Sequence, residues 1–144
     1  GGSKAFRVML AQTEIGSIGM GAGGTTFNTS SDYRRKENVV TLSDAITRLK
    51  TLAPKRFNFK TEPSVTRDGF LAHEVTAVPE AVTGTKDAVA TESDVTRGVC
   101  DKVGDPIYQQ LDQSKLVPLL TAALQEAVSK IETLEAKVAA LEAA

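Results

Sequence analysis

The sequence predicts an α+β fold: a small mixed domain, a long C-terminal helix suited to a parallel coiled coil, and an N-terminal β-segment. Three observations predict it. Apolar residues near the C-terminus recur in alternating steps of three and four. Residues 1–30 combine short alternating stretches with seven of the 11 glycines and carry almost no helix signal. Between these ends, brief helix and strand signals alternate in a chain of 144 residues, enough for one modest core.

Lys4 to Gln12 reads as a strand, with Phe6, Val8 and Leu10 on one face. The glycine-rich run Gly16–Gly24 then reads as flexible backbone, and Thr25–Thr29 as a further short strand. Ser43 is placed to cap a helix running to Leu52, with Ile46 and Leu49 as its apolar stripe and Pro54 as its boundary. Arg56–Lys60 alternates like a half-buried strand. Gly69–Ala72 reads as a second strand, leading into a short helix around Glu74–Val78 that Pro79 interrupts. Residues 83–106 are polar and glycine-punctuated, a long excursion with little core of its own.

The last section follows a heptad pattern. Val117, Leu124, Ile131 and Val138 take the a positions, and Leu120, Ala127, Leu134 and Leu141 the d positions. Lys130 and Lys137 fall at g, and Glu135 and Glu142 at the following e, so g–e pairs match between parallel chains. The identities at a and d leave two and three strands equally open. The alternative is one amphipathic helix folded back on its own domain. Pro118 lies near the helix start, where its missing N–H matters least.

Composition excludes several classes. With 17 basic and 18 acidic residues, the net charge of −1 offers no electrostatic footprint for nucleic acid or anionic membrane. A lone cysteine, Cys100, excludes an internal disulfide framework and reads as an incidental thiol. The lone histidine, His73, excludes a multi-histidine metal site, and no cofactor or metal is expected. No apolar run reaches bilayer length and no signal peptide is expected. Gly19-Met-Gly-Ala-Gly-Gly24 superficially matches a dinucleotide loop, but a threonine-rich extended segment follows where a helix must open. Aromatic residues make up 5% of the chain, thin for a self-sufficient core, so burial completed by further copies of the chain is expected.

The stretch Asn28–Val40 joins the two textures and concentrates hydroxyls, an amide and both charge signs. One reading is a solvated linker. The other pairs Ser31 as nucleophile with Lys36 as base. A serine hydroxyl needs a proton acceptor, and a lysine serves only when burial or nearby cations lower its pKa from about 10.4. Arg34 and Arg35 act in that direction, while Asp32 and Glu37 oppose it. Five residues apart means opposite faces of a strand and about 140° around a helix. A turn, or a partner chain, is needed to bring the two together.

Ser31-Asp-Tyr-Arg-Arg-Lys36-Glu-Asn-Val39 resembles the Ser-Asp-x-Arg-x-Lys-x-Asn signature of the C-terminal intramolecular chaperone domain of bacteriophage tailspikes and tail fibres, the endosialidase type. Leu42–Leu49 with Arg56–Phe59 resembles the first helix and strand of that family. Gly69-Phe-Leu-Ala-His-Glu-Val75 resembles its Gly-Phe-x-Ala-x-Glu element, and Tyr108–Leu120 running into Glu126 its final helix. The resemblance spans residues 31–144.

It implies a homotrimer that guides folding of an upstream triple-stranded β-structure of the same polypeptide. The trimer then releases itself by cleavage between Ser30 and Ser31. By position, Ser31 is the nucleophile and Lys36 the proton acceptor. His73 falls in a matching element. It either orients the scissile region or shuttles a proton, or is a core-edge histidine satisfied by the backbone; its neighbour Glu74 is a weaker candidate. On this reading residues 1–30 are the distal end of the fibre, residues 31–110 the globular chaperone region with its excursion at 83–106, and residues 111–144 the trimeric coiled-coil helix. The resemblance places assembly in the host bacterial cytoplasm, with the fibre in the virion tail and the released domain absent from it. The competing class is a non-enzymatic trimerisation foot or receptor-binding tip that stays in the fibre.

Overall fold

The computed structural model describes residues 3–143. Gly1, Gly2 and Ala144, at the ends of the first and last expected segments, lie outside the described residues. The chain divides into two compact units, Gly1–Thr41 and Leu42–Ala144.

The first unit is an antiparallel meander of β1 (Ser3–Leu10), β2 (Thr13–Gly21) and β3 (Gly24–Thr29). Ala11 and Gln12 form the two-residue loop after β1, both at positive φ (43° and 66°), as the twist of a tight hairpin requires. The expectation of flexible backbone at Gly16–Gly24 is corrected here, because most of that run is strand β2. Its glycines admit the close approach of β3. A Cβ on Gly19 would lie 2.7 Å from Thr26 Oγ1, and one on Gly16 3.0 Å from the Asn28 carbonyl oxygen. Phe6, Ile18 and Phe27 form one cross-strand row, with both phenylalanines exposed.

The second unit gathers Ala45, Val75, Val78, Ala81, Leu116, Leu119 and Ala123 into its core. Helix α1 (Ala45–Leu49) is shorter than expected and Ser43 does not cap it. Asp44 holds the N-cap position at φ 55° without a side-chain cap bond. The carboxylate of Glu126, 80 residues away, accepts from the Ile46 N–H at 3.2 Å instead. A tertiary partner has taken the role that local sequence assigned to a serine.

Strands β4 (Lys55–Phe59) and β5 (Glu62–Gly69) form a hairpin. The expected second strand at Gly69–Ala72 is displaced, since Gly69 ends β5 rather than opening a strand. Residues 62–68 are exposed throughout, so they lack the alternation that marks a half-buried strand. The expected helix at Glu74–Val78 is absent. Two 3-10 turns, Ala72–Glu74 and Pro79–Ala81, flank Val75 and Val78, which sink into the core from irregular backbone. Arg48 donates to the Ala77 carbonyl at 2.6 Å and satisfies a group that a helix would have used itself.

The two-residue strands β6 (Val82–Thr83) and β7 (Gln110–Leu111) close the neck of the excursion. Within it, Ala90 is the one buried residue, and α2 (Glu92–Thr96) starts on a capping box between Thr91 and Asp94. Helix α3 (Val117–Glu142) runs for 26 residues, with Pro118 in its first turn. Leu119 and Ala123 anchor it, and its strongest packing partner is α1. The protein is therefore a mixed α+β structure with small antiparallel sheets and a long C-terminal helix. Of the heptad residues, Val117, Leu120, Leu124, Ile131, Leu134, Val138 and Leu141 are exposed and Ala127 is half-buried.

Candidate functional site

Immediately after β3 the chain folds into a 3-10 turn, Tyr33–Arg35. Asp32 caps it, accepting from the Arg34 N–H through Oδ1 at 2.9 Å. The Arg34 guanidinium returns to the same carboxylate with two bonds, Nε to Oδ1 at 2.9 Å and a terminal nitrogen to Oδ2 at 2.6 Å. That side-chain pair, then the Arg34 N–H, holds the Asp32 carboxyl below its ordinary value, and Arg35 contributes further. The same pair raises the Arg34 guanidinium. The turn closes with the Lys36 N–H donating to the Tyr33 carbonyl at 3.0 Å.

This closure supplies the contact that neither strand nor helix spacing allows. Lys36 Nζ donates to Ser31 Oγ at 2.9 Å. The distance is within range for proton transfer. A base role requires the lysine nitrogen to present a free lone pair to that hydroxyl. Both residues are exposed in the single chain. The Arg35 guanidinium donates to Ser30 Oγ, also at 2.9 Å. The sequence marked Arg34 and Arg35 as neighbouring cations. It did not show that Asp32 engages one while Ser30 engages the other. The readable signal was the Asp-x-Arg spacing, which suits an aspartate cap.

His73 and Glu74 belong to the second unit, together on the turn Ala72–Glu74. Glu74 Oε2 lies 3.3 Å from Lys55 Nζ. That oxygen is buried and makes no hydrogen bond, so the contact is an ion pair without hydrogen-bond geometry. His73 lines a groove of about 630 Å³ with Phe57, Phe59, Phe70, Tyr108 and Leu111. Phe57 and Phe59 meet edge to face there, with centroids 5.2 Å apart. Among the described residues, no cluster of histidine, cysteine and carboxylate side chains could hold a metal ion, and no helix is long and apolar enough to cross a membrane.

Residues 31–83 match the Peptidase_S74 family, chaperone of endosialidase. Over that stretch, just over a third of the chain, it is similar to the chaperone of endosialidase. The match opens on Ser31 and runs through α1 and the β4–β5 hairpin to Thr83. The resemblance read from the sequence extended further, to residue 144. The family's name joins a peptidase to a chaperone, the two roles the resemblance implied. No curated protein matches the chain.

Proposed function

We propose that this chaperone domain assembles as a homotrimer through the α3 seam, aligns three upstream chains for folding, and then releases itself by cutting between Ser30 and Ser31. The observation that carries the cleavage reading is the 2.9 Å contact between Lys36 Nζ and Ser31 Oγ, at the point where β3 hands over to the chaperone. The exposed a and d residues of α3 support assembly, as do the g–e charges in phase with them. Within one chain Lys130 pairs with Glu126 at 2.7 Å, so interchain pairing with Glu135 would have to displace that contact. Registration has a kinetic purpose. Intertwined β-structure forms slowly because its contacts are non-local, and a pre-assembled trimer raises the local concentration of the segments that must meet. Once formed, the stalk is held kinetically and the assembler can leave.

The chemistry balances as two acyl transfers. Neutral Lys36 takes the Ser31 Oγ proton while Oγ attacks the Ser30 carbonyl carbon. The tetrahedral adduct expels the Ser31 nitrogen, which takes the proton back from Lys36, leaving Ser30 esterified to Ser31 Oγ. Water, deprotonated by Lys36, attacks the ester. The adduct expels Ser31 Oγ, which takes that proton back from Lys36, so Ser30 ends as a carboxylate and Ser31 keeps its hydroxyl and a free amino group. Packing of neighbouring copies around the turn would supply the desolvation that favours a neutral lysine.

Assembly would take place in the host bacterial cytoplasm, with the upstream fibre passing to the virion tail. Intact-mass spectrometry of freshly expressed chain carrying more of its stalk tests the reading. Wild type is expected to yield a fragment beginning at Ser31, while Ser31→Ala and Lys36→Ala stay whole and folded. A wild-type chain that remains whole would favour a foot or tip retained in the fibre. Cleavage of Lys36→Ala at the wild-type rate would remove lysine as the base.

A further inference from the structure

Resting on that self-cleavage reading, we propose that Arg35 positions the substrate residue, clamping Ser30 so that its carbonyl is presented to Ser31, and that it thereby selects a hydroxyl side chain before the cut. Ser30 is held at two points. Its N–H donates to the Ile15 carbonyl of β2 at 3.0 Å, one rung beyond the end of β3. Its Oγ accepts from Arg35 at 2.9 Å. Across the scissile bond, Ser31 Oγ is held by Lys36. Two adjacent cations therefore grip the two adjacent serines, each five residues back, and the single turn Tyr33–Arg35 closes both contacts together. The neighbouring cation, Arg34, is committed to Asp32. That bidentate pair braces the turn and leaves Arg35 as the guanidinium directed at the substrate. A planar guanidinium fixes direction better than an ammonium on a flexible stem, and alignment within a near-attack geometry accounts for a large part of such a barrier. Serine, with one short acceptor on Cβ, fits this clamp, and an apolar residue offers Arg35 nothing to hold.

The test measures cleavage half-lives by intact mass for wild type, Arg35→Gln, Ser30→Ala, the double variant, Ser30→Thr and Arg35→Lys, in the stalk-bearing chain. Circular dichroism and light scattering report fold and assembly. The clamp predicts that Arg35→Gln and Ser30→Ala each slow cleavage on the order of 10- to 100-fold. It also predicts that the double variant is no slower than either single one, because both remove the same contact. Ser30→Thr keeps most of the rate and Arg35→Lys recovers part of it. The midpoint of the pH–rate profile stays in place, since the contact aligns the bond and does not set the base. If Arg35→Gln moves that midpoint while Ser30→Ala cleaves normally, Arg35 acts by charge on Lys36 and the clamp is wrong. Normal cleavage of both single variants overturns it too. Ser30→Ala removes one exposed oxygen, so this arm stands even if an Arg35 variant misfolds. A wild-type chain that stays whole, or is cut elsewhere, overturns the self-cleavage reading along with the clamp. Cutting at Ser30–Ser31 with unaltered variants overturns the clamp alone.

Discussion

The two halves of helix α3 obey different rules. In its N-terminal half the helix carries two apolar stripes. Leu119 and Ala123 face the domain and are each 2% exposed, while Val117, Leu120 and Leu124 face away and are open. In the C-terminal half only the outer stripe continues, through Ile131, Leu134 at 58% exposure and Leu141 at 76%. From Val128 to Ala143 every residue is exposed. An isolated helix of that length is marginal in water. The first half is stabilised by its own domain. The second has the pattern of a helix stabilised by neighbours, and other copies of the chain are the partners proposed here.

The largest effect should come from breaking the outer stripe where it stands alone. Leu134→Asp would place three carboxylates in one layer of a trimeric seam, where burial and mutual repulsion both oppose ionisation. Light scattering is expected to report monomers, and cleavage is expected to stop with assembly. A persisting trimer would show that the outer stripe is not the contact. Breaking the inner stripe should act differently. Leu119→Ala deletes the largest fully buried side chain and should destabilise the domain by about 2–5 kcal/mol, read as a lower urea midpoint at fixed chain concentration. Its helix tail and seam should remain intact, so the assembled mass should survive at low denaturant.

A smaller effect probes the latch between the stripes. Lys130, then the Ile46 N–H, lowers the Glu126 carboxyl below its ordinary 4.5. A carboxyl lowered on folding adds stability above its unfolded pKa and loses it as pH falls through the folded value. Protection of the Ile46 amide from exchange should therefore persist at neutral pH and fade in acid, as the pH falls through the lowered folded-state value. Glu126→Gln should weaken it at both. The smallest effect concerns the exposed turn. Asp32 is lowered from 3.8 in the same sense, chiefly by the Arg34 side chain, so the Arg34 amide should lose protection in acid by the same sign. Asp32→Asn should reduce that protection at neutral pH without altering the urea midpoint of the second unit.

Much of the architecture was legible because it is periodic. The heptad spacing marked α3, and alternation of apolar and polar residues marked β1 and β4, although Phe6, Val8, Leu10 and all the heptad residues but Ala127 are exposed in the single chain. Strand β2 was hidden by glycines that serve the close approach of β3. Strand β5 was hidden because Glu62–Gly69 carries no apolar–polar alternation. The site was legible as a motif but not as a contact. The resemblance singled out Ser31 and Lys36, yet a separation of five residues carries no geometry until the backbone between them is known.

By itself the sequence determined which residues are apolar at helical or strand period, the charge balance, and the signature that the chaperone family match opens on. Only the tertiary structure decided the rest. It sank Val75 and Val78 into the core without a helix, and it replaced a serine cap on α1 with the distant Glu126. It also used one turn of 3-10 helix to set Lys36 against Ser31 and Arg35 against Ser30. The physical reason is common to all of these. Periodicity records which side of an element is apolar, whereas a hydrogen bond between non-neighbours depends on where the whole chain places its ends.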